Sequence, residues 1–300
     1  MIKHIVLSGG GPNNITQLGC LYELWNKNII NYDSIESIYS TSAGCLLGLN
    51  VVLKYDMNIV KDFYIERPWH KVLSFKAENL MQIVENSGYI DMKFIEDIID
   101  IFLTAKNMSK DITFIELYNI SNIAFNIFSV KLTSFEKVVF NHQVSPSMSV
   151  KTAILMSCAL PPIFKPIVYN NEYYLDGGML CNYPINDCLL KYPNKEETLG
   201  LHVTTGTQNE KNQFLENCTM PDYMMLLIKI LISNTQKQNY VSDRNEIIIK
   251  TKNCALNVEV WKNLLDQDKV LEMYNEGIEL GKNYIKEQNL KTDQACQHSV

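Results

Sequence analysis

Hydrophobic residues near the start of the chain fall into two short runs, each followed by a turn and then by a longer apolar stretch. The run His4–Leu7 predicts a buried strand, three glycines follow it, and the apolar positions of Ile15–Lys27 recur at the spacing of a helix face. The same order returns with a strand over Ile35–Tyr39, a turn over Ser40–Gly44 and a nearly all-apolar helix over Cys45–Leu53. Two such units predict parallel strands covered by helices.

Further elements follow from the same periodicities. Helices are predicted at Asn58–Ile65, Met92–Leu103, Val150–Cys158, from Met220 onward with Thr219 as N-cap, and at Val270–Ile285. Strands are predicted at Ile123–Leu132, Lys137–Phe140, Ile167–Tyr169 and Thr198–Thr204. Because the sequence contains neither an internal repeat nor a Pro/Gly/Ser-rich linker, we expect one α/β domain over residues 1–290, followed by a polar tail at 291–300.

Composition narrows the classes of function. The 300 residues are 46% hydrophobic and 20% charged, and the net charge of −6 gives no basic field for nucleic acid. The most apolar stretch, Tyr223–Ile232, is too short for a membrane span, and Met1–Leu7 is too short for a signal peptide. The eight cysteines form no CxxC pair, which favours reduced thiols. These features predict a cytoplasmic protein without a nucleic-acid partner.

A candidate nucleophile lies in the second turn. A serine hydroxyl becomes reactive when a sharp strand-to-helix turn exposes it near a base and near N–H donors. Ser42 has small neighbours at Ser40 and Gly44, and the Ala43 N–H at the start of the next helix would face the developing negative charge. Taken alone, the same residues are more typical of a polar turn that caps a buried helix than of a nucleophile.

The first glycine cluster is a candidate anion site. Gly9, Gly10 and Gly11 separate a predicted strand from a predicted helix, so their backbone N–H groups can converge on an oxyanion or a phosphate. Nucleotide motifs do not fit, because no Lys-Ser/Thr follows and Asn14 occupies the third glycine position of GxGxxG. The cluster therefore favours an oxyanion hole.

A candidate base lies far along the chain. Asp176 follows a strand-like Tyr-Tyr-Leu run and precedes Gly177 and Gly178, which allow close backbone approach. The reference pKa of an aspartate is about 3.9, so burial must raise it before the side chain can serve as a base. Read in isolation, Asp-Gly would indicate a hairpin turn.

Together these motifs resemble the patatin-like lipid acyl hydrolases, whose signature joins a glycine-rich oxyanion loop, a GxSxG elbow and a distant Asp-Gly-Gly/Ala. The resemblance covers residues 1–190 and also includes Ala153, Ser157–Pro166, Tyr174–Gly178 and Asn182–Pro184. It implies a three-layer α/β/α fold with a mainly parallel central sheet, and a catalytic dyad of Ser42 and Asp176. The implied oxyanion hole consists of Gly9, Gly10, Gly11 and Ala43, and no metal or other cofactor is implied. Structural parts are implied for Ser157, Pro161, Pro162, Phe164, Asn182 and Pro184.

The resemblance also implies a substrate and a location of action. We expect hydrolysis of carboxylic esters of phospholipids or glycerolipids, with peripheral contact to a membrane or lipid droplet. Arg67–Leu73 mixes aromatic, aliphatic and basic residues, which is typical of a membrane-interface segment or of a loop packed on the core.

Two departures from the family pattern leave alternatives open. Ser40 replaces the first glycine of the elbow, and Pro12–Asn14 replaces a basic residue followed by glycine, with Asn13 as a candidate neutral donor. One alternative is therefore a non-catalytic or impaired lipid-binding homologue. Another is an α/β-hydrolase esterase in which His202 completes a triad with Ser42 and Asp176, since this chain order fits that fold.

Overall fold

The computed structural model describes residues 1–73, 88–205, 244–253 and 255–297, together with positions 223, 227, 228, 230 and 232. For residues 291–297 the description covers the backbone. The predicted helix start at Met220, with Thr219, lies outside the described residues, and the division into one domain and a tail remains a prediction.

Strands and helices alternate along the chain. The strands are β1 His4–Leu7, β2 Ser37–Thr41, β3 Ala124–Lys131, β4 Glu136–Phe140, β5 Ile167–Tyr169, β6 Glu172–Asp176, β7 Thr198–Thr205 and β8 Glu246–Thr251. The helices are α1 Asn14–Asn26, α2 Gly44–Val52, α3 Met57–Glu66, α4 Trp69–Val72, α5 Lys93–Ala105, α6 Phe114–Ser121, α7 Val150–Ser157, α8 Ile185–Lys191, α9 Val258–Lys262 and α10 Gln267–Gln297.

The predicted elements that fall on described residues are confirmed, with bounds within two residues except for the last helix. That helix was predicted at Val270–Ile285, and its backbone extends to Gln297. The hairpin alternative for Asp176 is wrong. Strand β6 does form a hairpin with β5, but its turn lies at Asn170 and Asn171, which both have positive φ. Asp176 lies at the opposite end of β6.

One mixed sheet organises the described residues, with β3, β2, β1, β7 and β8 hydrogen-bonded in that order as parallel neighbours. Among the strands of this sheet, antiparallel pairing is confined to β4 and β6 against β3 and to β5 against β6. The sheet is therefore mainly parallel, as predicted.

The register along β3 brings the ends of strands β2 and β6 together. Strand β2 pairs with β3 up to Thr41 opposite Phe128, and β6 pairs with β3 up to Asp176 opposite Ser129. Because β4 overlaps both pairings, it must occupy the other edge of β3, so β2 and β6 lie end to end on a shared edge. The residue after Thr41 is Ser42, which therefore meets Asp176 from the opposite direction.

Helices cover both faces of this sheet. The main core lies under α1, α2, α7 and α10, with alternate strand residues such as Ile5, Leu7 and Ile38 pointing into it. A smaller cluster of Val6, Tyr39 and Phe128 lies on the other face, packed against Ile185 and Cys188 of α8. These layers form the three-layer α/β/α arrangement. Because β1 and β2 are parallel neighbours, the glycine cluster after β1 lies beside the turn after β2.

Candidate active site

Ser42 stands on a tight turn between β2 and α2. Its φ of 53° is left-handed, a conformation that costs a non-glycine residue about 1–2 kcal/mol. A side chain at Gly44 would come within 2.7 Å of the Ser8 carbonyl oxygen and 2.8 Å of that of Leu7, so this position needs glycine. Ser40 is compatible with the turn because its hydroxyl is buried and donates to Cys45 Sγ at 3.3 Å.

Asp176 lies next to this turn, 134 positions away in sequence. Ser42 Oγ donates to Asp176 Oδ2 at 2.6 Å, and the Gly178 N–H donates to Asp176 Oδ1 at 2.7 Å. The backbone of Asp176 is held as well, because its N–H donates to the Ala159 carbonyl at 3.0 Å. Both predicted members of the dyad are thus brought into direct contact.

The environment of Asp176 changes its protonation. The side chain is only 2% exposed, and this burial raises the pKa of the carboxyl to about 7. Hydrogen bonds from Ser42 and from the Gly178 N–H act in the opposite direction, because they stabilise the charged form. Near neutral pH the carboxyl therefore populates both protonation states, which suits a group that accepts a proton and returns it.

The glycine cluster approaches the serine closely. A Cβ at Gly9 would lie 2.9 Å from Ser42 Cβ, and Gly11 has a left-handed φ of 55°. Both positions therefore need glycine. Within the described residues, no acceptor takes the backbone N–H groups of Gly10, Gly11 or Ala43.

Gly9 differs from its predicted part in the oxyanion hole. Its N–H donates to the Asn182 carbonyl at 3.1 Å, and its carbonyl accepts from the Asn182 side-chain amide at 3.1 Å. This N–H is therefore already used, and the prediction for Gly9 as an oxyanion donor needs correction. Gly9 instead permits the close contact with Ser42.

The asparagines after the glycines are engaged with the protein itself. Asn13 Nδ2 donates to the Asn253 carbonyl, and Asn14 Nδ2 donates to the Ser8 carbonyl and to Gln17 Oε1. Gln17 in turn donates to the carbonyls of Ser8 and Leu201. The substitute donor predicted at Asn13 is thus used to anchor the loop.

A narrow apolar pocket opens beside the glycine cluster and the start of α2. It is lined by Gly11 and Ala43 and by aliphatic and aromatic side chains. Those side chains include Ile15, Leu46, Leu47, Trp69, Phe94, Ile98, Trp261 and Leu264. Its position and apolar lining suit a hydrocarbon chain attached to a carbonyl at Ser42.

The segment Arg67–Leu73 contacts the core through two of its residues. Trp69 is buried, lines this pocket and donates from its ring N–H to the Tyr64 carbonyl at 2.8 Å. Leu73 is buried as well, whereas Val72 is partly exposed. Pro68, His70 and Lys71 are exposed like Val72, so the buried residues anchor the segment while its other side faces solvent, and both interpretations of the segment stay open.

His202 does not join Ser42 and Asp176. Its ring stacks on Tyr183 at a centroid distance of 4.1 Å, and its Nδ1 lies 3.9 Å from Glu246 Oε2. Burial, together with the charge of Arg244, lowers the pKa of His202 to about 4. Since Ser42 Oγ donates directly to Asp176, the triad hypothesis is wrong.

Sequence reasoning missed the residue that holds the backbone of Ser42. Ser157 was assigned a structural part, yet its Oγ accepts the Ser42 N–H at 2.8 Å. The signal available in the sequence was its place in the family-like run before Pro161, which does not reveal its partner.

The described residues are also informative about metal sites, membrane-spanning helices and disulfides. Among the described residues, no group of three or more His, Cys, Asp or Glu side chains is placed to hold a metal ion. No helix in the described parts of the chain combines the length and apolar character needed to cross a bilayer. The described thiols of Cys20, Cys45, Cys158, Cys181 and Cys188 are free.

Comparison with known proteins agrees with this fold. The chain belongs to the patatin-like phospholipase family, whose model matches residues 5–189. It is 24% identical over 295 residues to the probable lipid hydrolase 463L of Invertebrate iridescent virus 6, covering 96% of this chain and 90% of that protein.

Two further proteins are similar over most of the chain. The uncharacterized protein R571 of Acanthamoeba polyphaga mimivirus is 22% identical over 241 residues, covering 80% of this chain and 78% of that protein. The crystal structure of VipD from Legionella pneumophila aligns with a TM-score of 0.55 at 16% identity. That alignment covers 94% of this chain and 67% of VipD, and it supports the fold.

Proposed function

We propose that this protein is a lipid acyl hydrolase that cleaves carboxylic esters of phospholipids or glycerolipids, with Ser42 as nucleophile and Asp176 as base. Family membership and the relative named as a probable lipid hydrolase support the reaction class. The observation that carries the proposal is the 2.6 Å hydrogen bond from Ser42 Oγ to Asp176 Oδ2, made by a serine in a left-handed turn.

The first half of the reaction forms an acyl-enzyme. Ser42 Oγ attacks the ester carbonyl carbon while its proton passes to Asp176 Oδ2, and a tetrahedral oxyanion results. Collapse of this intermediate breaks the bond to the alcohol oxygen, which takes the proton back from Asp176. In the second half, water attacks the acyl carbon while one of its protons passes to Asp176. The bond between the acyl carbon and Ser42 Oγ then breaks, Oγ takes the proton back from Asp176, and the fatty acid leaves.

The oxyanion is stabilised by backbone N–H groups. We assign this part to Gly10, Gly11 and Ala43, because their N–H groups are not engaged by described residues and flank the serine. The positive end of α2, which begins at Gly44, adds to the same effect. An aspartate of ordinary pKa is a weaker base than histidine, and burial offsets this by raising the pKa of Asp176 to about 7. Ester substrates suit the dyad because alcohols leave more readily than amines.

The apolar pocket supports a lipid as the substrate. A long acyl chain gains about 0.8 kcal/mol for each CH₂ removed from water, and this pocket offers almost no polar partner along its length. Reaching such a chain requires contact with a membrane or lipid-droplet surface. Vesicles and emulsions are therefore the appropriate substrate forms.

The test is release of free fatty acid from phospholipid vesicles and from emulsified neutral glycerides by the full chain. Wild type, Ser42→Ala and Asp176→Asn are compared with a control variant, Ser37→Ala. This control removes a buried hydroxyl at the start of β2, the strand that leads to Ser42. We expect release by wild type and Ser37→Ala, and a loss of at least about 1,000-fold in the other two variants.

The outcomes separate the proposal from its alternative. Equal release by wild type and Ser42→Ala would contradict it. Binding of vesicles without release from any ester tested would instead support a non-catalytic lipid-binding homologue.

A further inference from the structure

Ser157 contacts the backbone of Ser42 on the buried side of the turn. It is the last residue of α7 and is fully buried. Its Oγ accepts the Ser42 N–H at 2.8 Å and donates to the Phe128 carbonyl at 2.5 Å. The N–H of the strained nucleophile, which points into the protein, is therefore satisfied by one side chain.

The segment around Ser157 also holds Asp176. Two residues further on, the Ala159 carbonyl accepts the Asp176 N–H at 3.0 Å. Phe128, which accepts from Ser157, precedes Ser129, the residue paired with Asp176 across the β3–β6 register. One turn at the end of α7 thus contacts the backbones of both members of the dyad.

Two further residues fix the direction of the Ser157 hydroxyl. Cys45 Sγ donates to Ser157 Oγ at 3.5 Å, and Ser40 Oγ donates to Cys45 Sγ at 3.3 Å. Burial raises the pKa of the Cys45 thiol to about 12, so the thiol keeps its proton and remains a donor. Since Ser157 Oγ accepts from two donors, its own proton is directed to Phe128.

Ser40 gives this arrangement a feature particular to the chain. The family pattern has glycine at this position, and glycine has no hydroxyl to donate to Cys45. Ser40, Cys45 and Ser157 are all fully buried, so water does not compete for these hydrogen bonds.

We propose that Ser157 is a positioning residue that holds Ser42 within hydrogen-bonding distance of Asp176, and that Ser40 acts on it through Cys45. The effect of this positioning on catalysis rests on the proposed function. The positioning itself is a property of the folded protein without substrate, and it is therefore tested separately.

The direct test is a pH titration of Asp176 in the Ser157→Ala variant. The chemical shift of the Asp176 carboxyl carbon in ¹³C-labelled protein is measured at each pH and gives the midpoint of the titration. Without Ser157 the Ser42 backbone loses its anchor, the hydrogen bond to Asp176 weakens, and the carboxylate loses a stabilising donor. We expect the midpoint to shift to higher pH than in wild type. Ser37→Ala is the matched control, because it deletes a buried hydroxyl bonded to His4 at 2.8 Å, and its midpoint should equal that of wild type.

A second measurement is the rate at which a fluorophosphonate modifies Ser42. Misplacement of the nucleophile should slow this rate by about 10- to 100-fold in Ser157→Ala. Ser40→Ala and Ser40→Gly, which disturb the fold less, should each slow it by about threefold. These milder variants keep the test decisive if Ser157→Ala does not fold.

The results distinguish two kinds of failure. A midpoint and a labelling rate in Ser157→Ala equal to those of Ser37→Ala would overturn the positioning role. A shifted midpoint in a protein that releases no fatty acid would support positioning while contradicting the proposed function.

Discussion

Asp176 is a carboxyl buried at the end of β6, where desolvation favours its neutral form. Its pKa of about 7 means that the folded state retains a proton that the unfolded chain releases near pH 4. In this window the unfolded state binds fewer protons, so the free energy of unfolding falls as pH rises through about 4 to 7. The property that prepares this carboxyl to act as a base thus also lowers stability.

This linkage predicts a pH-dependent difference between wild type and Asp176→Asn. Between pH 5 and pH 8 the melting temperature of wild type should fall relative to that of the variant, because asparagine has no charge to bury. A shift of about 3 pKa units corresponds to at most about 4 kcal/mol. Thermal unfolding of both proteins across this range measures the difference, and parallel curves would show that Asp176 titrates at its ordinary pKa.

Single residues differ in how far the sequence predicted their parts. The sharp turn at Ser42 was predicted because the small residues that such a turn requires lie within two positions of the serine. The partners of Ser157 and Gln17 were not, because each bonds to groups more than 100 positions away, Ser42 and Leu201 respectively. Local pattern gives no information on such pairs.

Helices and strands were predicted well where hydrophobic residues mark the element along its whole length. Helix α2 and strand β1 are buried along their whole length, and their largely apolar sequences indicated this directly. Strand β2 is buried throughout as well although three of its five residues are Ser or Thr, and its observed bounds lie two residues beyond the predicted ones. Strand β8 was missed although its buried Ile247 and Ile249 flank the partly exposed Ile248. Its single alternation is short, and only its pairing with β7 makes the strand stable.

Helices α1 and α10 contact each other at two glycines, Gly19 and Gly277. The spacing of hydrophobic residues along the sequence could not predict this contact. A side chain at Gly277 would overlap the Thr16 carbonyl oxygen, and one at Gly19 would overlap that of Tyr274. Both overlaps involve backbone atoms, which cannot move without shifting a whole helix. The two axes therefore approach more closely than larger residues would permit.

Gly277→Ala should destabilise the protein by about 1–3 kcal/mol, because the added methyl group separates the two helices. Gly281→Ala is the control on the same helix. Its methyl group would meet Glu23 Cβ at 3.0 Å and no backbone atom closer than 3.4 Å, so the substitution should cost less. Urea unfolding compares the two, and an equal effect would indicate that the close approach at Gly277 does not limit stability.

At the scale of the whole molecule, the site depends on the register of strands that are distant in sequence. Ser42 and Asp176 meet because β2 and β6 share one edge of β3 and end at neighbouring positions, Phe128 and Ser129. The α/β class and the parallel units were predictable from pattern. The meeting of the two side chains was predictable only through the family resemblance, because an antiparallel strand joining this edge has no local signature.

The central claim is that Ser42 is a nucleophile activated by Asp176, and covalent labelling tests it most directly. Wild type and Asp176→Asn are incubated at pH 8 with a fluorophosphonate, and the modified residue is located by mass spectrometry of peptides. The account predicts a single adduct on Ser42 in wild type, formed at least about 100-fold more slowly in Asp176→Asn. An adduct on another serine, or equal rates in the two proteins, would contradict it.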